Sequence, residues 1–558
     1  MECKRMLEAS VKRQRRCANY KPNIWQYDFI MSLESQYDGE EYKRCYKKLR
    51  EEVKRMFVEE KEQVCKLKLV DKIKKLGLTY LFEEEIEETM CSIANSRSSI
   101  TCADHVYATP LCFRLLREHG YQVSQDILGS CIEEKGGTYS VDTDVEGLIE
   151  LLEASHLCFE GENMAAKIKE YSTKKLKHYL SNCSLDAAMA NQVARVLELS
   201  SHQRVPWFNV KWNIHIYEQR KDMNLHLFRL AKLNFNIVQL HLQKDLKDIS
   251  RWWKNLNLSH HLSFTRDRLV ECFMCSLGLV FQPRQSSFRK WLTKLIIFVL
   301  IIDDVYDIYG SQEELKQFTT AIDRWDLKII QDLPECMKIC FQVLYDTVHE
   351  TAYEINEQNG WDQVLTHLKK GWADFCKSLF VEAKWDNEGY PPSLQEYLKN
   401  AWISSSGALI AIYSFLATTS HDHPTEEMVQ FLGTNYHDLV YNQSLIIRLC
   451  NDLGTSTAEK ERGDAPSSIL CYQREENVGE EEAEEHIKEI IRKSWKKLNG
   501  ECFAIRSSSP FLKSFVDLTV NAARVAHCLY QYEDGFGVQD RHIRCNILSL
   551  LVEPFKLD

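Results

Sequence analysis

From residue 30 to about residue 200 the apolar positions recur at three- and four-residue intervals, the period of amphipathic helices, and polar residues gather at Asn95–Ser99 and Glu134–Asp144, which read as loops. The pattern breaks at Ser200–Pro206, where the proline ends any helix before it, and a domain boundary is placed there. Beyond Trp212 the periodic stretches lengthen, and Phe228–Leu256, Leu262–Val280, Phe288–Tyr309, Met337–Asn359 and Leu439–Glu461 each predict a long helix. Ser404-Ser405-Ser406-Gly407 interrupts another, either as a kink that turns carbonyls into a pocket or as a tight packing site. The acidic block Glu475–Glu485 predicts a solvated helix start. The longest apolar run, Leu295–Ile302, falls short of the roughly 20 residues that a membrane span needs, so it predicts a buried helix and no span. No internal repeat is apparent.

Composition sharpens this pattern. The 558 residues include 21 glycines and 11 prolines, about half the usual share, and the scarcity of these helix breakers predicts an all-α fold. The length exceeds what one core supports, which predicts two helical domains. A formal net charge of -11 argues against a nucleic-acid partner. The 20 cysteines are scattered singly with no secretory signal, the usage of a reducing compartment. The CxxC pair Cys272 and Cys275 has no second pair and no nearby His, so the two are expected to pack as small apolar residues rather than to hold zinc. Met1–Arg16 is basic through Lys4, Arg5, Lys12, Arg13, Arg15 and Arg16, without the long Ser-rich leader of a plastid transit peptide. A cytoplasmic location is the expectation, or a plastid one if a leader was trimmed.

Two acidic clusters carry the candidate chemistry. Asp303-Asp304-Val305-Tyr306-Asp307 closes the apolar run, and burying that much negative charge requires a compensating cation. On an α-helix Asp303 and Asp307 share a face, while Asn451, Thr455 and Glu459 repeat at i, i+4, i+8 on another helix. Glu459 stands about 12 Å along the axis from Asn451 and, being the longest of the three, reaches back toward it. Every donor is oxygen, the set that suits Mg²⁺ or Mn²⁺, and Mg²⁺ commonly bridges to phosphate. A phosphorylated small molecule is therefore the expected ligand. Arg266, Arg268, Arg448, Lys460 and Arg462 supply cations where such an anion needs them. Gly454, inside the second motif, costs about 1 kcal/mol of helix stability and marks either room for diphosphate or a bend.

At these residues the chain resembles the plant terpene synthases, nearly end to end. Asp303, Asp304 and Asp307 match the DDxxD motif; Asn451, Thr455 and Glu459 match (N/D)DxxTxxxE; Arg266 and Arg268 match RxR. Arg15, Arg16 and Trp25 match the RRx8W strip, and Ser250-Arg251-Trp252-Trp253, Arg324-Trp325-Asp326 and Arg462-Gly463-Asp464 are also similar. Trp207–Trp212, Leu333–Lys338, Asn359–Leu365 and Ala523–His527 look like the branch that forms the acyclic α-farnesene. The resemblance implies a basic strip, 1–29, over the active site; a catalytically silent helical domain, 30–209; and a metal-binding helical bundle, 210–558. It implies three Mg²⁺, with Mn²⁺ able to substitute, held by Asp303, Asp307, Asn451, Thr455 and Glu459. Arg266, Arg268, Arg448 and Lys460 would bind the diphosphate, and Asp304 would orient an arginine or a metal-bound water. Asp142-Thr143-Asp144-Val145 fails the DxDD pattern of protonation-initiated cyclases, which leaves diphosphate ionisation. Cys275 stands where relatives often carry Trp, and loss of that cation–π surface favours an acyclic product. Tyr530 and Asp534 match positions near the cavity in relatives, and neither is assigned as the base. The implied activity is a monomeric sesquiterpene synthase taking farnesyl diphosphate to (E,E)-α-farnesene. Alternatives are a monoterpene synthase making β-ocimene from geranyl diphosphate, and an inactive helical scaffold.

Overall fold

The computed structural model describes residues 20–96, 107–129, 131–132, 145–182, 185–361, 363–418, 437–462, 467–509, 512–537 and 541–557, with the backbone alone for His437 and 457–462. Arg15, Arg16, the Asp142–Val145 string before Val145, and Gly463-Asp464 lie outside these residues, as do the side chains of Glu459, Lys460 and Arg462. The described regular structure is helical, without strands.

In the first half, Leu49, Val53 and Phe57 recur at i, i+4, i+8 on Glu40–Glu59 and are buried. Phe113, Leu128, Leu151, Ala154 and Ile168 form a second small core. Arg114 crosses between helices: its guanidinium donates to Asp71 Oδ1 at 2.6 Å, to Glu150 Oε1, and to Glu118 Oε1 at 3.4 Å. The helix Ala187–Glu198 ends before Ser200, two 3₁₀ turns follow, and a helix restarts at Val210. This connection is packed, since Trp207 is 1% exposed and stacks on Phe281 at 4.1 Å between ring centroids. One apolar core runs from Trp25 through both halves to Phe555. A cavity of about 630 Å³ lies in the cleft between the halves, and none of the described metal or diphosphate candidates lines it.

Seven helices build the candidate site and are labelled in chain order: α1 Leu269–Leu279, α2 Ser286–Asp304, α3 Val364–Glu388, α4 Leu394–Ser404, α5 Gly407–Thr418, α6 His437–Arg462 and α7 Lys513–Tyr530. The helices Leu225–Leu256 and Glu335–Asn359 also appear where periodicity placed them. Leu262–Val280 is not one helix: the chain leaves helical form after His261 and re-enters at Leu269. The reason is tertiary, because the Arg266 N–H donates to Asp304 Oδ2 at 2.8 Å instead of to a helical carbonyl. The Glu475–Glu485 block straddles two elements, with Asn477 in the left-handed region (φ 55°) capping one helix before Glu480 starts the next.

Taken as one stretch, Leu394–Thr418 is long and apolar enough to cross a bilayer, which the single-run criterion missed. It is broken between α4 and α5, with Ser406 at φ 63°, and 61% of its most apolar window is buried within the protein, as in a core helix pair.

Candidate active site

The aspartate cluster sits at a change of helix type. α2 ends at Asp304, and Val305–Tyr309 form a π turn closed by the Gly310 N–H donating to Val305 O at 2.9 Å. The expected regular α spacing of Asp303 and Asp307 is therefore replaced by a wider turn, a local form often found at functional sites. Asp303 is half-buried, Asp307 is exposed, and Asp304 has 0% exposure.

Asp304 is held by donors. Its Oδ2 accepts the Arg266 backbone N–H at 2.8 Å and Nε at 3.3 Å, and its Oδ1 lies 3.0 Å from Arg266 Nη2. The same Nη2 donates to Asp303 Oδ2 at 2.6 Å. Burial raises the Asp304 carboxyl above its ordinary range despite the Arg266 charge. Burial opposes the Arg266 charge in turn, yet Asp304, Tyr20 and Asp303 keep it protonated far above its ordinary range.

The second cluster lies on α6. Arg448 Nη1 donates to Asn451 Oδ1 at 3.3 Å, and Thr455 Oγ1 donates to the Asn451 carbonyl at 2.8 Å. Asp452, 1% exposed, stands 3.9 Å from Arg448 Nη1 and accepts the Tyr397 hydroxyl at 3.0 Å and the Ser468 N–H at 3.0 Å. Behind Arg448 stands Glu382 of α3, which accepts Ser404 Oγ at 2.5 Å and Asn400 Nδ2 at 3.0 Å. Arg448 Nη2 donates to Ser404 Oγ at 3.0 Å, and its buried Nε has no acceptor among the described residues. The two clusters share one electrostatic environment, since Asp303 acts on Arg448, Glu382 and Tyr530. Oxygen donors that run from exposed Asp307 to buried Thr455, two largely buried guanidiniums and an Nε with no acceptor among the described residues fit divalent cations with a bound diphosphate.

Arg268 is differently engaged. Its guanidinium donates to the carbonyls of Phe536 at 2.8 Å, Lys21 at 2.8 Å and Asp267 at 2.9 Å, tying residues 20–25 to the loop after α7. Trp25 Nε1 donates to Glu271 Oε1 at 3.0 Å. Cys272 and Cys275 are buried on α1, and burial holds both as thiols.

Gly454 has a specific explanation. A Cβ there would stand 2.9 Å from Tyr530 Cβ, 3.1 Å from its carbonyl oxygen and 3.2 Å from its Cα, so the glycine lets α6 and α7 approach closely. Neither a bend nor diphosphate room is needed, as α6 is continuous. At an unconstrained helix position Gly→Ala stabilises by about 1 kcal/mol; here overpacking predicts a loss of about 1–3 kcal/mol. Gly454→Ala is expected to lower the melting temperature and reduce turnover, and thermal denaturation beside a rate assay checks it. Gly407 is a similar packing site, with a Cβ reaching within 2.8 Å of Ser444 Cα, so the Ser404–Gly407 break serves helix packing and presents the Ser404 hydroxyl.

Sequence reasoning missed Glu382, Tyr397 and Tyr20. Glu382 had a signal: it falls in the apolar stripe Leu368, Trp372, Phe375, Leu379 of α3, where an acid requires a partner. Tyr20 and Tyr397 had none.

The comparisons agree with this arrangement. Residues 24–197 match the family model described as "Terpene synthase, N-terminal domain", and residues 254–497 match "Terpene synthase family, metal binding domain". An α-farnesene synthase of Ricinus communis is 51% identical over 564 aligned residues, covering 100% of this chain and 99% of that protein. The chain belongs to the terpene synthase family. An (E,E)-α-farnesene synthase of Malus domestica is 53% identical, covering 97% of this chain and 94% of that protein. The crystal structure of isoprene synthase from grey poplar, in complex with three Mg²⁺ ions and dimethylallyl-S-thiolodiphosphate, superposes with TM-score 0.84 at 37% identity, covering 96% of this chain and 99% of that one. This terpene synthase thus carries the family's metal-binding domain on an all-α fold, and acts as a lyase on a prenyl diphosphate with divalent metal.

Proposed function

We propose that this terpene synthase ionises farnesyl diphosphate and deprotonates the resulting allylic cation to the acyclic (E,E)-α-farnesene, releasing diphosphate. The observation that supports it is that each cluster of oxygen donors carries its own guanidinium, Arg266 on Asp303 at 2.6 Å and Arg448 on Asn451 at 3.3 Å, in a chain similar over its length to two α-farnesene synthases. Asp303 and Asp307 on one side, and Asn451, Thr455 and Glu459 on the other, would hold the metal. When bound, Mg²⁺, three ions by analogy with the isoprene synthase complex and replaceable by Mn²⁺, neutralises charge developing on the leaving oxygens.

Arg266 and Arg448 bind the diphosphate as bidentate donors, joined by Lys460. Arg266 must exchange Asp303 for the diphosphate, which frees the Asp303 carboxylate. Arg268 holds the segment 20–25 and the loop after α7 in place through the carbonyls it binds. Glu382 and Ser404 keep the Arg448 guanidinium in position. The C–O bond breaks with its electron pair going to the diphosphate, and the cation then loses a proton to a base, for which the released diphosphate is available, leaving a fourth double bond in a conjugated 1,3-diene. Cys275 in place of an indole leaves that wall of α1 without a cation–π face for cyclised cations. We assign catalysis to residues 210–558, with 30–209 as a non-catalytic helical half and 1–29 as the strip over the site.

Purified protein incubated separately with farnesyl and geranyl diphosphate, with Mg²⁺ and after chelation, tests this by gas chromatography of the volatiles. The expected result is α-farnesene from farnesyl diphosphate, lost on chelation and restored by Mg²⁺. Cyclic products alone would overturn the role given to Cys275.

A further inference from the structure

Hydrogen bonds fasten the segment 20–25 to the site, among them one between the side chains of Asn23 and Asp267. Tyr20 Oη donates to Asp304 Oδ1 at 2.8 Å, Arg268 Nη2 donates to Lys21 O at 2.8 Å, and Trp25 Nε1 donates to Glu271 Oε1 at 3.0 Å. A cavity of about 320 Å³ lies between Tyr20–Asn23 and the loop Ser263–Asp267, so residues 20–23 are pinned at points, whereas Trp25 is packed into the core. Of these pins, the Tyr20 hydroxyl is the one that reaches the aspartate cluster.

Tyr20 engages both members of the pair that controls this cluster. Its hydroxyl is bound to the buried carboxylate of Asp304, and its ring lies 5.2 Å from Arg266 Cζ. Asp304 spends its other contacts on the backbone N–H and guanidinium of Arg266. Removing the hydroxyl leaves a fully buried carboxylate one donor short and frees the guanidinium to turn. Arg266 also contacts Asp303, so its direction decides whether that carboxylate is open.

We propose that Tyr20 is a positioning residue for ionisation: it holds Arg266 and Asp304 in register and anchors the segment 20–25 over the site, keeping water from the allylic cation. The proposal rests on the farnesyl diphosphate reaction given above. If the anchor loosens, water adds to the cation and loses a proton, and the products are acyclic terpene alcohols formed at the expense of the diene.

The test compares wild type, Tyr20→Phe and Tyr20→Ala. Tyr20→Phe keeps the ring and the fold, and is expected to lower kcat about tenfold, the size of one lost hydrogen bond to a charged group. Its alcohol fraction is expected to rise severalfold, and its melting temperature to fall by no more than a few degrees. Without metal or substrate, hydrogen–deuterium exchange over residues 20–25 is expected to quicken in Tyr20→Phe, and to quicken no further when Tyr20→Phe is added to Asp304→Ala. Tyr20→Ala is expected to exceed Tyr20→Phe in every readout. Wild-type alcohol fraction and exchange in Tyr20→Phe would overturn the proposal, whatever its kcat. Wild-type enzyme inert toward farnesyl diphosphate would overturn the reaction instead, and the exchange measurements would still decide for or against Tyr20 as the anchor.

Discussion

Replacing Asp303 with alanine is expected to lower kcat/KM for farnesyl diphosphate by roughly 10³-fold or more, with little change in stability, because a metal clamp contributes several kcal/mol to the transition state alone. The side chain is 31% exposed and bound to Arg266 Nη2, so its removal leaves no buried group stranded. Asp304 differs. It is fully buried and accepts from Tyr20 and Arg266, so Asp304→Ala should lose melting temperature as well as rate. Mg²⁺-dependent diphosphate release and thermal denaturation of the two variants separate the roles. Activity of Asp303→Ala within tenfold of wild type would exclude it as a metal ligand. Glu459→Gln is expected to behave as Asp303→Ala does.

Arg114→Met is expected to destabilise the protein by about 3–5 kcal/mol while leaving KM unchanged in whatever folded protein remains. Arg114 is 6% exposed and serves three carboxylates, Asp71, Glu150 and Glu118. Lys75 still pairs with Asp71 and Lys74 with Glu118, but Glu150, 2% exposed, loses the guanidinium that pairs with it. The pH dependence carries a definite sign. Burial works to raise the Asp71 carboxyl, and Lys75 and Arg114 outweigh it, bringing the group down to about 2 from its ordinary 3.8. A depressed carboxylate contributes stability that is present above the unfolded value and lost as pH falls through the folded one. The difference between wild type and Arg114→Met should therefore be largest near neutrality and shrink below about pH 4. Denaturant unfolding at several pH values measures it; a difference independent of pH would remove the charge network as its cause.

Much of this protein was legible in one dimension. Helices such as Leu225–Leu256 and Glu335–Asn359 follow from apolar positions at the helical period, which is a property of neighbours in sequence. The two acidic motifs were legible for the same reason, as were the helix breaks near Pro206 and at Ser404–Gly407. Glu382 was within reach, as an acid in an apolar stripe, because burial without a partner is costly.

What the sequence by itself determined is the all-α class, the two acidic motifs with their hard oxygen donors, and the family they belong to, because each rests on spacing within a few turns of helix. The tertiary structure alone decided the π turn under Asp307, the commitment of Arg268 to backbone carbonyls, the close approach of Gly454 to Tyr530, and the Tyr20–Asp304 bond. The partners in that last bond are separated by 284 residues, and no local pattern encodes which distant donor will meet a buried carboxylate. That choice is made by packing, where every buried polar group must find whatever partner the assembled helices bring within reach.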